Sequence, residues 1–146
     1  MKNIIIPMLL VLSGFGLSIQ GSINGALGRA IGSVQAALVS FVIGTICLFI
    51  VVMFMGKGNL YAVVDVPKWQ LIGGMLGAIY ISVLAFSVPR VGIGLALVCV
   101  VIGQIIMSMV IDHFGLFQST QVLFNTPRLI GVLLLISGMI CIYKGT

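Results

Sequence analysis

The side chains capable of chemistry are few, and they recur at helical spacing. Gln20 and Asn24 stand four residues apart, with Ser13 and Leu17 extending their face toward the N-terminus. Gln104, Ser108 and Asp112 climb another helix at i, i+4 and i+8, and His113 follows directly. Residues so spaced share one side of an α-helix. An amide carries donors and an acceptor together, so an amide-lined site suits a neutral or zwitterionic metabolite better than a lipophilic cation. Asp112 and His113 admit two readings. They are either solvated helix-end groups or a proton or ion gate whose charge changes at one mouth. Asp65 and Asp112 are the only acids and Glu is absent. No nucleophile, base and orienting acid can be assembled, so an enzyme is not expected. Cys47, Cys99 and Cys141 have no C-x-x-C spacing and read as small packing residues, with no metal or cofactor implied.

These groups are set in a chain that water cannot solvate. Of 146 residues, 61% are hydrophobic and 6% charged, against about 25% charged in a soluble domain. The surrounding medium is therefore lipid, and no nucleic-acid partner is expected. Crossing a hydrocarbon core takes roughly 20 apolar residues, and the interruptions of the apolar runs mark the membrane surfaces. One all-α transmembrane domain is expected over residues 1–146, with five spans near 4–27, 34–55, 69–88, 93–111 and 129–143. Pro7 falls in the first turn of the first span, where its missing N–H costs little. Trp69 opens the third as an interfacial anchor, and Pro89-Arg90-Val91-Gly92 reads as a turn. Lys2 followed by an apolar stretch imitates a secretory signal, but the stretch is too long and lacks a prompt cleavage pattern.

Small residues form stripes along the spans. Gly14, Ser18, Gly21, Gly25 and Gly28 lie beside the Gln20/Asn24 face, Ser33, Ala37, Ser40, Gly44 and Cys47 line the second span, and Gly73 and Gly77 begin the third. Such stripes let a second backbone approach closely. Tyr80 continues the Gly73/Gly77 face, so its ring could cover the gap the glycines leave. Gly92, Ala96, Cys99 and Gly103 make the packing side of the fourth span, and Gly131 and Gly138 frame an aliphatic ridge suited to helix pairing in the fifth.

Five spans put the termini on opposite sides. Lys2, Lys57, Lys68 and Arg128 then share one side, and Arg29, Arg90 and Lys144 the other. Orientation follows the Lys/Arg excess of short loops, and a four-to-three division barely specifies one. The chain either sits with its N-terminus in the cytoplasm on that weak bias or inserts both ways. An up copy paired with a down copy would recreate the inverted repeat on which many transporters are built.

Leu17-Ser-Ile-Gln20-Gly-Ser-Ile-Asn24-Gly-Ala-Leu27 and Ala37-Leu-Val-Ser-Phe41-Val-Ile-Gly44-Thr45 resemble the opening of the YdcZ-type proteins of the drug/metabolite transporter superfamily. The likeness continues through Trp69…Gly73-Gly74-Met-Leu-Gly77-Ala, Pro89-Arg90-Val-Gly92 and Gly103-Gln104. Ile111-Asp112-His113-Phe114-Gly115-Leu116-Phe117 carries it most specifically, and Arg128-Leu-Ile-Gly131 closes it. The resemblance implies a five-span, half-length inner-membrane protein, multi-pass, exporting a small molecule as an antiparallel dimer of one chain or of two paralogues. Small multidrug resistance proteins are similar in size and in a glycine-framed last helix, yet depend on a first-span glutamate where this chain has Gln20 and Asn24. An uncharged amide cannot trade a proton for a cation.

The expectation is an alternating-access exporter with Gln20, Asn24, Tyr80, Gln104 and Ser108 lining the substrate cavity and Gly131 and Gly138 at the dimer interface. Arg29 and Arg90 would favour an anionic group at one mouth or serve as surface anchors. The alternatives are a small dual-topology channel, a proton-coupled exporter of small cations through Asp112 and His113, and a non-transporting accessory subunit.

Overall fold

In the computed structural model, which describes residues 4–145, the chain is helical almost throughout, with no strand among the described residues. Five helices follow one another: α1 (Ile5–Ile31), α2 (Ser33–Met55), α3 (Ile72–Val91), α4 (Ile93–Phe114) and α5 (Thr126–Lys144). All five are long and apolar enough to cross a membrane, the third counted with the turn that leads into it. Helices are what such sequences must form in lipid, because every backbone N–H and C=O then finds its partner within the segment. Lys2, used above to count charges, lies outside the described residues.

The helices run further than the interruptions in hydropathy suggest. α1 continues one turn past Leu27, and α4 absorbs Asp112 and His113. The turn expected over Pro89–Gly92 contracts to one residue. Pro89 and Arg90 belong to the last turn of α3, and Gly92 alone breaks the helix with φ +80°. Gly32 joins α1 to α2 the same way at φ +95°. Side chains with a Cβ rarely adopt such a backbone, and glycine does so without steric penalty. Proline is tolerated near a helix end because it removes only one ladder bond, here the one that Ala85 O would have accepted. Trp69 sits in a single turn, Lys68–Leu71, ahead of α3. The start of α5 moves upstream to Thr126, since Asn125 Oδ1 accepts the Arg128 N–H as an N-cap and Pro127 occupies the first turn.

The chain divides between Arg90 and Val91 into two compact units, one of α1–α3 and one of α4–α5. In the first, glycine stripes do the packing. A Cβ at Gly25 would meet Val88 Cγ1 at 2.8 Å, and one at Gly28 would lie 3.2 Å from Ala85 O. The backbones of α1 and α3 therefore approach at these glycines, whereas Gly14, on the same stripe, faces open space. In the second unit α4 packs along α5, with Cys99 Sγ 3.7 Å from Met139 Sδ.

Candidate functional site

Asn24 is the most deeply placed polar group of the first unit, 3% exposed between Gly21 and Gly25 on a helix otherwise open. Ser40 of α2 donates its hydroxyl to Asn24 Oδ1 at 2.6 Å, while Asn24 Nδ2, equally buried, has no hydrogen-bond partner among the described residues. Ala36 and Ala37, both buried on α2, keep that helix close. Ser40 belongs to the expected small-residue stripe, and the structure adds its pairing with Asn24. The signal was present: Asn24 precedes Gly32 by eight residues and Ser40 follows it by eight. In a hairpin that turns at Gly32, both must lie about 12 Å below the turn. Gln20, one turn from Asn24, is exposed, and Tyr80 is half-buried on α3. The gap at Gly77, expected for the Tyr80 ring, is occupied by Phe41 of α2, whose Cζ lies 3.3 Å from the Cβ position.

In the second unit the polar groups gather at one end. Arg128 Nη1 lies 3.1 Å from Asp112 Oδ2, an ion pair without hydrogen-bond geometry. The Asp112 carbonyl accepts the Val122 N–H at 3.0 Å. His113 Nδ1 accepts the Phe124 N–H at 3.3 Å, which leaves the proton of the neutral ring on Nε2. Gln121 Nε2 donates to His113 O at 2.9 Å. Both residues thus hold the α4–α5 connection against the end of α4. Ser108, Asp112, Arg128 and Gly131 line one cleft of about 250 Å³, and Gln104 stands exposed a turn above Ser108. Ser108 bonds the Ile105 carbonyl of its own helix. A second cavity, about 500 Å³, is walled by apolar side chains of α4, α5 and Phe124, with His113 its one titratable lining group.

The structure therefore brings Asn24 to Ser40, sets Ser108 and Asp112 along one cleft, and leaves Gln20 and Gln104 open within their units. Its five spans also coincide with a recognised family. The family described as "Putative inner membrane exporter, YdcZ" matches residues 5–141. The chain belongs to the YdcZ family. It is accordingly a multi-pass inner-membrane protein of transporter type. No curated protein and no solved structure matches the chain.

In this YdcZ-family chain the last helix packs along α4. No residue of α5 is buried. A Cβ built at Gly131 or at Gly138 meets nothing within 4 Å, so the glycine-framed face of α5 is open at both positions within its unit. The YdcZ match extends through this helix to residue 141.

Proposed function

We propose that this YdcZ-family protein exports a small neutral or zwitterionic metabolite as an antiparallel, dual-topology homodimer working by alternating access. Gln20, Asn24, Tyr80, Gln104 and Ser108 of both copies line the path. The observation that carries the reading is the unpartnered Nδ2 of buried Asn24. A buried donor left unmade costs about 1–3 kcal/mol, and a substrate carbonyl or carboxylate would satisfy it. Gln20 and Gln104 add weight, because an amide turned to lipid lacks any partner, and a second copy would cover both. The open face of α5 at Gly131 and Gly138 supplies a surface for that copy. A paralogue of the same fold would serve equally as partner. Proton-coupled cation export through Asp112 is less well supported, because that carboxylate is already paired with Arg128.

Proteoliposomes assayed on a solid-supported membrane against metabolites of each charge class test the proposal. Saturable currents or counterflow with neutral or zwitterionic compounds, lost in Asn24→Ala and kept in Ser40→Ala, are expected. A response to lipophilic cations alone would overturn the substrate class. Rates far above conformational turnover would indicate a channel. C-terminal reporters active on one side only should both register, and a signal from a single side would remove dual topology.

A further inference from the structure

The two arginines that precede the one-residue links converge. Arg29 lies three residues before Gly32 and Arg90 two before Gly92. Although far apart in sequence, they line one cleft of about 480 Å³, together with Gly28, Ser33, Ala85 and Pro89. Their convergence follows from the close crossing of α1 and α3 at Gly28 and Ala85. Among the described residues neither guanidinium has a carboxylate partner. Asp65 is in the connection at the opposite ends of α2 and α3, and Asp112 is paired with Arg128.

Arg90 is held in place. Its Nη1 donates to the Phe86 carbonyl, and its Cζ stands 3.5 Å from the centre of the Phe86 ring. These contacts fix the plane of the guanidinium and leave its remaining N–H groups for another acceptor. Ser33 opens α2 with no side chain capping the N–H groups of that first turn, which are themselves donors with a partial positive field. Two basic residues, a hydroxyl and a helix start thus line one concavity, and no acidic side chain lines it. The carbonyls that end α1 and α3 lie at the same end and oppose an anion, so the attraction must come from the two arginines and the start of α2.

We infer that this cleft is a binding site for a small oxyanion, a phosphate or carboxylate, gripped between Arg29 and Arg90. The site is separate from the amides at Gln20 and Asn24 and does not rest on the substrate class proposed above. The oxyanion can belong to a soluble molecule or to the headgroup of an anionic lipid, and the recognition chemistry is the same.

The full chain, purified in uncharged detergent, is titrated with inorganic phosphate at constant ionic strength. In parallel, phosphatidylglycerol retention is measured by native mass spectrometry after passage through mixed phosphatidylcholine/phosphatidylglycerol nanodiscs. The variants are R29Q/R90Q, the charge-preserving R29K/R90K, and K57Q, which removes a charge from the connection at the other end. At least one probe should bind, and R29Q/R90Q should weaken it about tenfold or more, given the strength of charge-assisted hydrogen bonds. R29K/R90K should keep part of the binding and K57Q all of it. Phosphate binding identifies a soluble anion, and selective phosphatidylglycerol retention identifies a lipid headgroup. If neither probe binds, or if R29Q/R90Q with unchanged helical circular dichroism and elution binds as the parent does, the site does not exist. An equal loss in K57Q reduces the effect to net charge and overturns it as well. Should R29Q/R90Q fail to fold, R29K/R90K decides, since a lysine pair without the bidentate fork must bind measurably more weakly than the parent.

Discussion

In the unit of α1–α3 the polar contact is buried well inside the helices, where Asn24 and Ser40 meet between glycines and alanines. In the unit of α4–α5 the polar contacts sit at the helix ends, where Asp112 pairs with Arg128 and His113 and Gln121 tie down the connection. The difference follows from residue size. Gly21 and Gly25 let α1 approach its neighbours closely enough to enclose an amide. On α4 Gly94 and Gly103 face open space although Leu95 and Ala96 are buried, and its long apolar side chains wall a cavity. Close packing places a hydrogen bond in the low-dielectric interior, where it is strong when complete and costly when partial. Contacts near the membrane surface are weaker, and water can share them. The first unit thus encloses an amide with an unsatisfied donor, and the second is a helix pair whose connection is tied down at one end.

That contrast can be broken most forcefully at Gly25. Gly25→Val forces a branched side chain into Val88, and overpacking of this kind costs about 1–3 kcal/mol, read as a fall in the thermal unfolding midpoint in detergent. Unchanged stability would mean that α1 and α3 are not closely packed there. Next in size, Asn24→Ala and Ser40→Ala should each cost about 0.6–2 kcal/mol, the usual range for a hydrogen bond between membrane helices. Their double-mutant cycle should show coupling, and additive losses would dissolve the pair. Asp112→Asn should cost less, about 0.2–1 kcal/mol, because both partners are close to one-third exposed and the pair is screened. Its effect should shrink as salt is added, and a salt-independent loss would place the pair in a drier setting than described. Smallest of all, Gly131→Ala and Gly138→Ala should leave the fold of the single chain unmoved, since an added methyl meets nothing. The dimer fraction by cross-linking in membranes should fall, and no change would separate the α5 face from assembly.

Much of this architecture was legible in advance because hydropathy is a local property. Five spans, their order and the small-residue stripes follow from windows of about 20 residues. The family resemblance rested on segments that the match over residues 5–141 contains. Helix ends were less legible. Pro89 and Asp112 look like interruptions, yet a proline in a last turn and a charge at a helix end disturb the backbone little, so both helices run on. The candidate site was legible only as a set of residue types. Gln20 and Asn24 share a face by spacing, but the neighbouring helices enclose one and leave the other open. The gap offered to Tyr80 is filled by Phe41 because α2, not the ring three residues along the same helix, supplies the nearest side chain.

By itself the sequence determined the solvent, the number of spans and the poverty of acids, since those depend only on which residues are present and how the apolar runs are broken. The tertiary structure decided which polar atoms meet. The Asn24–Ser40 bond, the Asp112–Arg128 pair and the convergence of Arg29 with Arg90 all depend on helix crossing and rotation. A local pattern cannot encode these, because a rotation of 100° per residue carries a side chain from the interior to lipid without altering the composition of its span.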